Sequence, residues 1–118
     1  MKKLFIVLLV SSTFISLQSC KKANLTRDQW KIEKATDLED GSDITADYEG
    51  DTWEFQKDEK FFENGELKGN WAWIDGKERF MIAEQDGSVD EYDVLKLKRN
   101  EMWLKIPNEE EIHFSRIK

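Results

Sequence analysis

The sequence predicts an all-β domain, a small antiparallel up-and-down barrel of about eight strands, preceded by an export leader. Short segments of alternating polar and apolar residues recur from Trp30 to the end of the chain, and Asn-Gly, Asp-Gly and Pro-Asn turns separate them. No helical segment of the length a parallel crossover needs lies between them, so the neighbours pair antiparallel. About eight strands is also the number at which such a sheet closes on itself, around an interior that side chains or one small ligand can fill.

The first strand is Trp30-Lys31-Ile32-Glu33-Lys34, with Trp30 and Ile32 on one face and charges on the other. From Asp37 to Asp51 the alternation gives way to Asp, Glu, Gly and Ser, with Leu38, Ile44 and Tyr48 as apolar points; this reads as a long loop with room for one helical turn. Thr52-Trp53-Glu54-Phe55-Gln56 restores the strand pattern, and Lys57-Asp58-Glu59 turns it into Lys60-Phe61-Phe62-Glu63. Asn64-Gly65 is the strongest hairpin signal, because both residues tolerate the positive φ of a two-residue turn. In the next strand Leu67, Gly69, Trp71 and Trp73 share a face, and Gly69 leaves room for a neighbouring ring or a bend. Asp75-Gly76 leads to Arg79-Phe80-Met81-Ile82-Ala83, and Asp86-Gly87 to Glu91-Tyr92-Asp93-Val94-Leu95-Lys96-Leu97. Tyr92 and Val94 oppose Leu95 and Leu97 there, which requires a bulge near Leu95. Arg99-Asn100 and Pro107-Asn108 then bracket Met102 to Ile106, and Glu111 to Ile117 closes the chain.

The leader has a charged start, Met1-Lys2-Lys3, and an apolar run from Leu4 to Val10 that Ser11-Ser12-Thr13 cuts short of the length needed to span a bilayer. Leu17-Gln18-Ser19-Cys20 resembles a bacterial lipobox, with Gln18 in place of the usual small or aliphatic residue. The resemblance implies that residues 1–19 are removed and that Cys20 becomes the mature N-terminus, carrying a diacylglyceryl group and a further acyl chain. Two chains suffice for stable anchoring where one is marginal. Residues 20–27 are then a lipidated cysteine and short tether, and residues 28–118 the barrel. Cys20 is the one cysteine of the chain, so no disulfide is available. Lys21, where an Asp would favour retention in the inner membrane, implies the outer membrane. Lys21-Lys22-Ala23-Asn24 lacks the acidic residues of surface-displayed lipoproteins, which implies a face toward the periplasm.

The chain carries 18 Lys+Arg against 25 Asp+Glu, net -7, and losing Lys2 and Lys3 with the leader takes the mature part to -9. That balance disfavours nucleic acid, which needs clustered basic charge. The aromatics, each burying about 150–250 Å², must supply most of the core of so small a domain.

Trp30, the Thr52-Trp53-Glu54-Phe55 strand, the Gly69-Asn70-Trp71 strand and the Tyr92 to Leu97 strand leading to Met102-Trp103-Leu104 together resemble the lipocalin-like domains of small Bacteroidota lipoproteins. Asp28 stands where lipocalins usually have Gly. The resemblance implies that Arg116 stacks on Trp30 and closes one end of the barrel.

Trp53, Phe55, Trp71, Trp73, Phe80 and Tyr92 face one side of their strands and are expected to converge inside. They either fill the barrel as core or line a pocket for a small hydrophobic ligand entering beneath the Asp37 to Asp51 loop. Trp103 and Phe61 point away from that set and would together mark a partner-binding patch. His113, alternating with Ile112 and Phe114, is expected on the surface, and no nucleophile-base arrangement accompanies it. The acidic loop does not reproduce a calcium-binding spacing. The expectation is therefore a non-enzymatic, monomeric, lipid-anchored protein with no metal or cofactor, which binds a small hydrophobic ligand. The alternative is a solid barrel that binds another envelope protein as an inhibitor, immunity factor or assembly accessory.

Overall fold

The computed structural model describes residues 21–117; the leader and Cys20 lie outside the described residues. Eight antiparallel strands close into one barrel: β1 (Trp30–Asp37), β2 (Thr52–Phe55), β3 (Lys60–Glu63), β4 (Glu66–Ile74), β5 (Arg79–Glu84), β6 (Val89–Leu97), β7 (Glu101–Ile106) and β8 (Glu110–Arg116). Each pairs with the next, and β8 returns to β1 with Trp30 opposite Arg116. The lower end holds the start of β1, the β2–β3, β4–β5 and β6–β7 turns and the end of β8. The upper end holds the β1–β2 loop and the other three turns.

The turns follow the sequence signals. Asn64 and Gly65 take φ of 54° and 79°, as a two-residue hairpin between right-twisted strands requires. Asp75 and Gly76 also take positive φ, 50° and 64°, within a four-residue connection, residues 75–78, that contains a short 3-10 turn. The bulge required near Leu95 is present, since the β6–β7 register shifts between Val94 and Lys96 and leaves Leu95 exposed.

Two expectations about facing are corrected. Phe61 is buried inside the barrel rather than turned outward, because it pairs with Phe55 on one side and Gly69 on the other, both interior positions. Two adjacent phenylalanines left the choice open in the sequence, and β3 resolves it with Phe61 in and Phe62 out. Leu67 does not share the face of Gly69, Trp71 and Trp73. A second register shift sets Phe61 opposite Gly69 but Phe62 opposite Leu67, so the residue between them bulges and Leu67 faces solvent at 41% exposure.

Gly69 is required by a backbone rather than by a ring. A Cβ placed there would stand 2.0 Å from the Ala83 carbonyl oxygen of β5, far inside van der Waals contact.

The outer wall alternates with the interior and carries charge on every side, Lys31, Glu54, Glu91 and Lys105 among others. This is the reverse of the apolar outer band of a membrane-spanning barrel. No helix among the described residues is long and apolar enough to cross a membrane.

The segment expected as a tether is ordered onto the barrel. Residues 21–26 are helical, and Leu25 is fully buried in the core cluster at the lower end. Its carbonyl accepts a hydrogen bond from Trp30 Nε1 at 3.1 Å.

Candidate functional site

Two places in the fold were candidates for function, the barrel interior and the upper end. The six aromatics proposed for the interior do come together. Trp53 is the hub, with ring centroids 6.3 Å from Phe55, 5.3 Å from Phe61, 5.8 Å from Tyr92 and 5.0 Å from Phe114. Phe55 continues the network to Trp71 at 5.9 Å and Phe80 at 5.2 Å, and Phe80 reaches Tyr92 at 5.5 Å. Trp73 meets Trp71 and Phe80 edge-on, and is half-buried where the other five are buried. All of these pairs are tilted or T-shaped, the arrangement that the ring quadrupoles favour.

Sequence reasoning left out Phe61, Ile82, Met102, Leu104, Ile112 and Phe114, all buried with the six. For β7 and β8 the signal was present: Trp103 and His113 point outward, so the residues alternating with them point in. With these side chains added, rings from β2 to β6 and β8 and aliphatic side chains from β5, β7 and β8 together occupy the interior.

The upper end is closed as well. The β1–β2 loop folds back on β1, where Ala35 N–H donates to Thr45 Oγ1 at 3.0 Å and Ile44 N–H to the Ala35 carbonyl at 2.9 Å. A short 3-10 turn, Thr45–Tyr48, supplies the helical turn expected there. Ile44 and Tyr48 pack against the core, and the Tyr48 hydroxyl donates to Glu110 at the start of β8. Burial first, then that carboxylate, pushes the Tyr48 phenol pKa upward. The loop's acids work locally: Asp37, Asp40 and Asp43 each accept a backbone N–H two residues on, at 2.8–2.9 Å, the hydrogen bond of an Asx turn. The Asp40 and Asp43 carboxyls are held below the usual range by the hydroxyl and N–H of Ser42 and Thr45.

The upper end carries a polar groove of about 300 Å³ between the β3–β4 and β5–β6 turns, lined by Glu63, Lys68, Glu84, Gln85 and Asp86. Burial raises the Glu63 carboxyl pKa, and nearby Asp51 raises it further while Lys68 partly offsets both. Acids of the loop and of the groove thus crowd one end of the molecule. No group of three or more His, Cys, Asp or Glu suited to hold a metal ion converges among the described residues.

Trp103 is on the outer wall as expected, but it is not bare and Phe61 does not join it. Its ring is stacked on His113 at 4.1 Å and 4°, and the Lys96 ammonium lies 4.5 Å from its centroid. Each neighbour comes from the adjacent strand, so the three form a ladder across β6, β7 and β8. His113 Nε2 meets Glu111 at 2.6 Å, and Ser115 Oγ donates to Glu33 at 2.5 Å, separate pairs with no shared reacting centre.

No protein-family model matches the sequence, and no curated protein matches it. The chain is defined by its own geometry, a closed eight-stranded antiparallel barrel with an aromatic interior and an acidic upper end.

Proposed function

We propose that the protein is a lipid-anchored lipoprotein of the cell envelope, with a lipocalin-like barrel that acts through its surface and binds another envelope protein at its acidic upper end. The observation that carries this reading is the occupied interior: Trp53 touches four other rings and is 6% exposed. A small hydrophobic ligand, the other function weighed from the sequence, needs an apolar pocket of several hundred Å³. The groove at the upper end is lined by charged and amide side chains and suits a cationic protein surface. The anchor in this reading rests on the Leu17 to Cys20 lipobox resemblance.

Native mass spectrometry of the mature chain, exported to the envelope with Cys20→Ser, tests the choice between interior and surface. The expected result is the bare polypeptide mass before and after denaturation. Extra mass released on denaturation would sink the solid-barrel reading and restore the ligand binder.

A further inference from the structure

The lower end is built differently from the upper. Three stretches of chain meet there and are tied by hydrogen bonds. Arg116 donates from Nε to the Arg99 carbonyl and from Nη2 to the Asn24 carbonyl. Its backbone N–H reaches the Asn100 carbonyl at 3.2 Å, and Ile117 N–H the Gln29 carbonyl at 2.9 Å. Each of these stretches brings basic residues: Lys21, Lys22 and Arg27 from the segment before β1, Lys98 and Arg99 from the β6–β7 turn, and Arg116 itself. Arg27, Lys98 and Arg99 are exposed. The β2–β3 and β4–β5 turns of the same end carry Asp58, Glu59, Asp75 and Glu78 against Lys57 and Lys77, whereas the half built by the N-terminal segment, β7 and β8 has Asp28 and Glu101 as its acids, so basic residues outnumber acidic ones there.

The first described residue, Lys21, stands four residues before Leu25, which is locked into the core at this end. Among the described residues, the segment that follows Cys20 is thus a short helix docked on the barrel and not a free arm, which would hold the domain close to a membrane.

We infer that the basic collar around Lys22, Arg27, Lys98 and Arg99 docks on anionic phospholipid headgroups, so that the barrel stands on the bilayer by its lower end with its acidic upper end directed away. The inference rests on the anchored reading above for its physiological setting. Charge complementarity selects the occupant: basic side chains near an anionic surface attract it within about a Debye length. The domain as a whole is at net -9 after loss of Lys2 and Lys3, so the acidic upper end is the face such a surface repels. The acidic groove then faces the compartment in which a protein partner diffuses.

Because Cys20 is the one cysteine, the mature chain can be coupled through its thiol to a maleimide-bearing lipid in vesicles of phosphatidylcholine with or without phosphatidylglycerol. Lysine acetylation is then followed residue by residue by mass spectrometry. Lys22 and Lys98 are expected to react about fivefold more slowly on the anionic vesicles, while Lys68 and Lys105 are unchanged. High salt and the exposed-site double variant Arg27→Glu/Arg99→Glu should both abolish the difference. Equal protection on neutral and anionic vesicles, or slowing of Lys68 alongside Lys98, overturns the docking. The intact mass of the protein purified from the envelope is a separate readout. An unmodified Cys20 there removes the anchor and leaves the footprint result standing on its own.

Discussion

The Arg116 guanidinium carbon stands 4.2 Å from the centroid of the Trp30 ring, and the same side chain bonds the Arg99 and Asn24 carbonyls. One residue at the end of β8 thus fastens the first strand, a turn and the N-terminal segment together. Burial first, then the charges of Arg27 and Arg99, lower its pKa from an ordinary arginine value, with Asp28 opposing the shift. Arg116→Ala is expected to cost about 3 kcal/mol in urea unfolding, from charged hydrogen bonds and a desolvated cation-π contact. Arg116→Lys should recover less than half, because one ammonium cannot bond both carbonyls and cover the ring. A loss below about 0.5 kcal/mol in either variant would show that the lower end is held by packing of Leu25 alone.

Trp53 tests whether the interior is solid. Trp53→Ala removes the hub of the ring network, and truncations of this size in cores cost about 3–5 kcal/mol. The cavity left should take up a small aromatic probe such as indole, with a rise in melting temperature that the parent protein does not show. Equal stabilisation of the parent by the probe would mean that the barrel already contains space.

Most of this architecture was legible in the chain, and the parts that were not have a common cause. Period-two alternation and turn residues specified the strands, their order and the convergence of Trp53, Phe55, Trp71 and Phe80. Those signals are local, so they fail where two apolar residues adjoin. Phe61 and Phe62 can exchange faces without any change in pattern, and only pairing with Phe55 and Gly69 decides between them. The bulge that turns Leu67 outward leaves no mark in composition, unlike the one at Leu95, where misplaced leucines announce it. The trio Lys96, Trp103 and His113 is invisible in sequence because its members belong to three strands. The burial of Leu25 was missed because a short segment before the first strand has no periodicity to read.

Gly69 should prove intolerant of a single added methyl group. Its Cβ would collide with backbone, the Ala83 carbonyl oxygen at 2.0 Å, and backbone cannot rotate aside as a flexible side chain does. Gly69→Ala is expected to cost about 3 kcal/mol, at the upper end of overpacking losses, with the midpoint of denaturation shifted and its slope unchanged. Gly65→Ala, with nothing near the added carbon but φ of 79°, should cost about 1 kcal/mol through backbone strain alone.

Glu63 gives the stability a definite pH dependence. Its folded pKa is raised above the ordinary value of 4.5 by burial and by Asp51. A raised acid favours folding while protonated, so its contribution is full below the unfolded value and is lost as pH rises through the folded one. Glu63→Gln should therefore be more stable than the parent at neutral pH, by no more than about 0.5 kcal/mol for a half-exposed group. The advantage should vanish below pH 4.5. Chemical denaturation at both pH values measures it, and an advantage of the same size at each would assign the effect to something other than ionisation.

Tyr48 and Glu110 hold the β1–β2 loop across the upper end. Tyr48→Phe keeps the ring packed on the core but removes the side-chain hydrogen bond from the loop to Glu110 of β8. A bond to a carboxylate contributes about 1.5–3 kcal/mol, and here the loss falls on a segment already fastened at Ala35 by Ile44 and Thr45. The expected outcome is faster amide hydrogen exchange at Asp47 and Asp51, whose N–H groups bond within the loop, by about tenfold or more. Exchange in β4 and β5 should not change. Uniform acceleration through the barrel would instead make the loop part of the global folding unit, so that the acidic end could not adjust to a partner without unfolding the rest.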